Sequence, residues 1–383
     1  MKKNNKSKQI LFSVLGILSL FLITIGDTSL TKVENKDWNY EVELDSETTT
    51  KLNIVPKYSL ANVKIEKDNQ VISNNSEVSL VGGNNIYKVT ITSTDQTVTK
   101  EYKINIKVKQ VVPLKDEIMK NTVITANPTL TTSSNNTSDA SGLYKSTATN
   151  TGDPTYYFRG NVENNYVSFA GQTWRIVRVN EDGTIRIVMQ DGINDNVNIA
   201  FNSIDNNYTY MYYTNSEAKT TLENWYQTNI GSKSDLVKNV AGGNYYCEQA
   251  KVKINSYYTS GNATMTTYNK YTPDFKCSSD GNGKGVVNAS VGLLTYDEVV
   301  YAGGYYGKDN SDYYLYNPAI SWLTMSPAGF SDSRSTIWYV RNTGYIDGYN
   351  SVINTRALHT VLNLNADTLV IGEGTSSDPF VVQ

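Results

Sequence analysis

The chain has 383 residues, 39% apolar and 19% charged, with a formal net charge of −3 and a pI of about 5.4. That length suggests two or three domains, and that apolar content can build their cores. No basic block follows the first eight residues, which argues against the cationic footprint of a nucleic-acid-binding protein.

The first predicted element is apolar. Lys2, Lys3, Lys6 and Lys8 precede Ile10 to Gly26, a run of 17 residues without a charge. As a helix it would be roughly 26 Å long, close to the ~30 Å hydrocarbon core of a bilayer. Residues 1–30 are therefore expected to be a signal peptide or membrane anchor, with the lysines in the cytoplasm and everything after Asp27 exported. Thr24-Ile25-Gly26 is a small-x-small cleavage site, so the chain is expected either to stay anchored by this helix, facing outward, or to be secreted after cleavage. In an exported chain, the even pair Cys247 and Cys277 is expected to be bridged, the alternative being two buried thiols. A bridge over about 30 residues would contribute roughly 3–4 kcal/mol in the chain-entropy model. One histidine and two distant cysteines are too few for a zinc site, and no metal or cofactor is expected.

Residues 38–110 alternate with period two. Tyr40, Val42 and Leu44 oppose Glu41 and Glu43; Tyr87, Val89 and Ile91 oppose Lys88 and Thr90; Tyr102, Ile104, Ile106 and Val108 oppose Lys103, Asn105 and Lys107. The pattern predicts antiparallel strands with one wet and one buried face, and the turn residues Gly82-Gly83-Asn84 suit an all-β sandwich. WNYEVEL, LANVKIE and VSLVGGNNIYKVTITSTDQTVTKEYKINI resemble the cadherin-like β-sandwich modules of bacterial surface proteins. The opening strand usual in that family is not evident before Trp38. The resemblance implies a spacer or adhesion unit.

Residues 111–140 read as a linker. PLKDEIMKN can form a short helix after Pro113, and NPTLTTSSNNTSDASG is polar and turn-rich. Residues 141–383 mix periods. Thr155 to Gly160 is a predicted strand, and Thr173 to Gly192 a hairpin turning at Glu181-Asp182-Gly183. Ala218, Leu222, Trp225 and Tyr226 then share a helix face, with Ser216 as N-cap and Glu217 in the first turn. Strands return at Trp322 to Pro327, Ser335 to Val340, Gly344 to Tyr349 and Ala357 to Leu364.

VGLLTYDEVVYAGG, Val291 to Gly304, sets Asp297 beside Glu298. Thr295 with Glu298 three residues later is a capping box, Asp297 lies in the first turn, and Gly303 is a ready C-cap. Neighbours at i and i+1 do not share a helix face, so a helix start accounts for these acids better than an acid/base pair. This stretch joins SGLYKSTATNTGDPTYYFRG, FAGQTWRIVRVNEDGTIRIVMQDG, NSEAKTTLENWYQTNI, WLTMSPAGF and VLNLNADTLVIGEGTSSDPFVV. In that order they resemble a module of exported proteins from low-GC Gram-positive bacteria, similar to the α+β C-type-lectin-like fold. That superfamily includes sugar-binding lectins, adhesins, phage receptor-binding proteins and formylglycine-generating enzymes. The two cysteines stand where the module often carries a pair, around its variable loop. Where the module has Arg-Pro in its penultimate strand, this chain has His359-Thr360.

The lectin calcium motifs, Glu-Pro-Asn or Gln-Pro-Asp with a later Trp-Asn-Asp, do not occur. Thr272-Pro273-Asp274 has no acidic or amide side chain before its proline. Asp280 to Gly285 puts Lys284 at a ligand position and Val291 at position twelve, so it reads as a glycine-rich turn. A serine hydrolase would need His359, which no nucleophile-elbow motif precedes and which reads as structural. Sequons such as Asn262-Ala-Thr264 carry no expectation in so Asn-rich a chain. The informative surplus is tyrosine, 29 residues in all, which supplies rigid amphipathic contact area. The lectin-like resemblance would bring Tyr305, Tyr306, Tyr313, Tyr314, Tyr316, Tyr345 and Tyr349 together on a ligand face, although tyrosine is also simply a good strand former. The expected function is a non-catalytic binding or adhesion protein for a glycan or protein. The alternatives are an envelope component without a discrete ligand, or a formylglycine-generating type of enzyme.

Overall fold

The computed structural model describes residues 20–25, 28–29, 31–32, 39–45, 47–128, 130, 139–243, 245–248, 273–277, 285–331 and 333–383. The chain forms two compact units, Met1–Val111 and Val112–Gln383.

Unit 1 contains β1 (Leu20–Ile25), β2 (Tyr40–Leu44), β3 (Thr49–Pro56), β4 (Asn62–Lys67), β5 (Ser76–Ser79), β6 (Gly83–Thr92) and β7 (Thr99–Val108). One sheet runs β1-β3-β5, and the other runs β2-β7-β6-β4. The period-two pattern sends Tyr87, Val89, Ile91, Ile104 and Ile106 inward against Ile23, Leu52, Ile54 and Val78 of the first sheet. Each such buried side chain contributes about 1.5–3 kcal/mol. The second sheet is mixed rather than wholly antiparallel, because β2 runs parallel to β7 with Ile104 beside Tyr40.

β1 differs from the sequence expectation. Leu20–Ile25, placed there in an apolar helix, is a strand antiparallel to β3, pairing Ile23 with Ile54 and Ile25 with Leu52. The β-branched Ile-Thr-Ile alternation suits a pleated surface, and Ile23 and Ile25 are buried by it. The strand also supplies an opening element before Trp38. Residues 10–19 and 26 of the expected helix, and the lysines before it, lie outside the described residues. Among the described residues, no helix is long and apolar enough to cross a membrane.

Unit 2 begins inside the segment expected to be a linker. β8 (Val112–Pro113) pairs with a strand near the chain's end, Val112 opposite Val370. The short helix expected after Pro113 follows as α1 (Leu114–Met119), whose Leu114 and Ile118, four apart, enter the core. Next come β9 (Gly142–Ser146), β10 (Thr155–Arg159), β11 (Tyr166–Phe169), β12 (Gln172–Val179) and β13 (Ile185–Met189). The β12–β13 turn is where the sequence places it, with Asp182 Oδ1 accepting from Thr184 N at 3.0 Å and Gly183 at φ +89°. In α2 (Glu217–Tyr226) Ser216 Oγ accepts from Lys219 N, and Ala218, Leu222, Trp225 and Tyr226 are buried.

Then follow α3 (Tyr296–Ala302), β14 (Tyr305–Tyr306), β15 (Trp322–Ser331), β16 (Arg334–Val340), β17 (Tyr345–Ser351), β18 (Val361–Leu364), β19 (Leu369–Ile371) and β20 (Phe380–Val382). The large sheet runs β8-β19-β20-β11-β12-β10-β9, with β13 between β12 and β18. A smaller sheet runs β14-β17-β16-β15. Cys247 and Cys277 form a disulfide with Cα atoms 5.6 Å apart.

Candidate functional site

The adjacent acids of α3 are structural. Thr295 Oγ1 accepts from Glu298 N at 3.1 Å, and Glu298 Oε2 accepts from Thr295 N at 2.9 Å, closing the capping box. Glu298 does more than cap. Its Oε1 lies 2.6 Å from Arg186 Nε and 3.4 Å from Arg178 Nε. It is 3% exposed and Arg186 is 1% exposed, so the network ties α3 to β12 and β13 out of water. Burial pulls the Arg178 pKa down, and Glu298 opposes that shift. Asp297 turns elsewhere and accepts from Asp274 N at 3.2 Å. Arg159 binds the carbonyls of Val300 and Tyr301 at the far end of α3, at 2.8 and 3.0 Å. A cation at a helix C-terminus is electrostatically favoured.

The described ends of the bridged loop are fastened to unit 2. Phe275 stacks on Tyr301 with ring centroids 4.0 Å apart, and the Arg178 guanidinium lies 4.8 Å from the Phe275 ring. Cys277 N donates to Asn150 Oδ1 at 2.7 Å. Glu248, fully buried beside Cys247, accepts from Thr214 N and Oγ1 at 2.8 and 2.6 Å. Residues 249–272 and 278–284, which hold the Asn262 sequon and nearly all of the glycine-rich turn, lie outside the described residues.

The structure distributes the candidate tyrosines unevenly. Tyr305, Tyr313 and Tyr314 are core residues, 4%, 1% and 4% exposed. Tyr305 pairs with Tyr345 along the β14–β17 ladder. The Tyr313 hydroxyl donates to Gly344 O at 3.2 Å, and the Tyr314 ring lies beside the buried Arg175 guanidinium. Burial raises the phenol pKa of all three. Tyr306, Tyr316 and Tyr345 are half-buried and reach solvent. The side chain of Tyr349 lies outside the described residues.

Tyr345, Tyr339, Arg341 and Asp347 share one face of the small sheet and form an aromatic and guanidinium layer there, while Tyr306, opposite Ile346 in the ladder, belongs to the other face. The Tyr306 ring is 6.0 Å from both Trp338 and Tyr345. Tyr345 carries the Arg341 guanidinium at 4.9 Å. Asp347 clamps Arg341 through Nε and Nη2, while Arg341 Nε also reaches the Tyr339 hydroxyl at 3.0 Å. Hydrogen bonding to Asp347 raises the Arg341 pKa, and its side chain is 47% exposed. A second guanidinium, Arg356, lies 5.2 Å from the Tyr339 ring. The turn between β16 and β17 depends on Gly344, whose φ is +78° and where an added Cβ would sit 1.6 Å from Asn310 O. Sequence reasoning missed Tyr339, Arg341, Asp347 and Arg356. The signal for three of them was the alternation Tyr339/Arg341 and Tyr345/Asp347 on either side of Asn342-Thr343-Gly344, which places all of them on one face once the hairpin pairs.

His359 lies buried against Trp322, rings nearly parallel with centroids 4.9 Å apart. Burial pushes its pKa down to about 3, so at neutral pH it is an uncharged core residue. A scan for known protein families finds no match to this chain, and a search of curated proteins finds none either.

Proposed function

We propose that this chain is an exported, non-catalytic binding protein of a bacterial cell surface. In this reading the β-sandwich of unit 1 is a spacer, and unit 2 is a C-type-lectin-like domain that engages a glycan or protein. The observation that carries it is the solvent-reaching set of Tyr345, Arg341 and Arg356, in which the two guanidiniums flank the rings of Tyr345 and Tyr339. Aromatic and arginine side chains are the residue types that dominate recognition surfaces. Further support comes from the lysine-flanked apolar start, the disulfide expected of an oxidising compartment, and the pairing of the first and last strands of unit 2 into one sheet. The sealed His359 and the bridged cysteines leave no reactive imidazole or thiolate from those residues, which weighs against hydrolase or formylglycine-type chemistry.

The test is a glycan array and an envelope-polysaccharide pull-down with the purified protein, with and without calcium. A specific hit that survives chelation supports the reading. A folded protein that captures neither glycan nor surface protein removes it. A purely architectural role is the second reading, favoured by the burial of Tyr305, Tyr313 and Tyr314 in the core. It predicts that Tyr345→Ala leaves every interaction of the cell envelope unchanged.

A further inference from the structure

The Tyr339 ring lies beside two arginines in different electrostatic situations, Arg341 from its own sheet and Arg356 from the two-stranded pairing with Ile199. Arg341 is matched, because the buried carboxylate of Asp347 takes Nε and Nη2. Arg356 is not. It is half-buried in the Thr355–Arg356 strand, its Nη1 donates to Thr355 O at 2.7 Å, and its guanidinium faces the Tyr339 ring. Among the described residues no carboxylate lies within ion-pair distance of it. Asp205, an acid tied to the neighbouring Ser351, accepts from Ser351 Oγ at 2.7 Å. Partial burial of a cation without an anionic partner costs free energy, which a bound anion would recover.

The surroundings narrow the anion. Asn354 and Thr355 are exposed beside Arg356, and Ile353 is 44% exposed. Tyr345 continues the face, joined to the Tyr339 ring through the Arg341 guanidinium. These residues bring rings, aliphatic area and one unmatched charge together. A planar guanidinium presents paired donors in the geometry of a carboxylate, and flat tyrosine faces suit sugar rings. We propose that this face binds a carboxylated polysaccharide, with Arg356 contacting the carboxylate and Tyr345 contacting a sugar ring. The proposal rests on the binding role given to unit 2 above.

The experiment measures binding of the whole chain to three immobilised polymers: polygalacturonate, its fully methyl-esterified form, and poly(glycerol phosphate). Polygalacturonate should bind, and esterification should weaken binding at least tenfold. Arg356→Gln should cost a similar factor on polygalacturonate with an unchanged melting temperature, and Arg356→Lys should recover only part of it. The esterified polymer keeps the test valid even where a variant folds poorly. Equal affinity for the free and esterified polymers overturns the carboxylate inference while leaving a glycan-binding face intact. A preference for the glycerol phosphate polymer overturns the carboxylate assignment in favour of phosphate. No binding to any of the three overturns the inference, and a blank array alongside it overturns the binding role as well.

Discussion

The buried imidazole of His359 gives the sharpest test of how unit 2 is held together. Its pKa in the folded protein is about 3, against the ordinary value of 6.5, because burial disfavours the charged ring. The folded state therefore favours the neutral form. The resulting stability is fully present above the unfolded value and is lost as pH falls from 6.5 towards 3. One pH unit in that window corresponds to about 1.4 kcal/mol. Between pH 7.5 and pH 5, His359 alone should lower the stability of unit 2 by about 2 kcal/mol. The comparison is urea unfolding at both pH values for the natural chain and for His359→Leu, which packs on Trp322 without titrating. Four tryptophans, Trp174, Trp225, Trp322 and Trp338, report on unit 2 by fluorescence. The leucine variant should show a pH dependence shallower by about 2 kcal/mol. Parallel pH profiles for the two proteins would refute the reasoning, since they would mean that His359 charges without opening the core.

Three other outcomes follow from the same packing. Glu298→Gln leaves Arg186 and Arg178 buried beside a neutral amide and should cost about 3–5 kcal/mol; Ser216→Ala, which removes only a cap, should cost about 1 kcal/mol, and thermal unfolding of the two variants should rank them in that order. Reducing the Cys247–Cys277 bridge should remove roughly 2–5 kcal/mol, read as a lower melting temperature in dithiothreitol. Tyr313→Phe deletes the hydroxyl bonded to Gly344 O and should cost about 1 kcal/mol without altering ligand capture, whereas Tyr345→Ala should alter capture in a pull-down while the protein stays folded.

Local signals were readable where a single segment decides the outcome. The buried face of α2, its Ser216 cap, the Thr295–Glu298 capping box and the Asp182–Gly183 turn all follow from spacing within a few residues. The failures are non-local. Residues 20–25 are uncharged and apolar but for Thr24, and so short an apolar run has no period that separates a helix from a buried strand; pairing with Leu52 and Ile54 decides it. Val112 and Pro113 look like the start of a linker until Val370 and Leu369, more than 250 residues on, return to pair with them. Tyrosine count gave no depth, because the same side chain serves as a core wedge at 313 and as surface at 345. Arg356 became visible only when a distant strand brought it to the ring of Tyr339.

The strand β1 makes the beginning of the chain a choice between exclusive fates. Residues 20–25 cannot lie within a bilayer and also hydrogen-bond to β3. Removal of the segment at Gly26, or its retention in a membrane, would strip one edge of the sandwich. The backbone of Thr49–Pro56 would lose its partner on that side, and Leu52 and Ile54 would lose the cover of Ile23 and Ile25. An uncovered edge of this kind recruits another strand or aggregates. The integrity of unit 1 would then depend on what happens to the first 26 residues, so that folding of this unit reports on the fate of that segment.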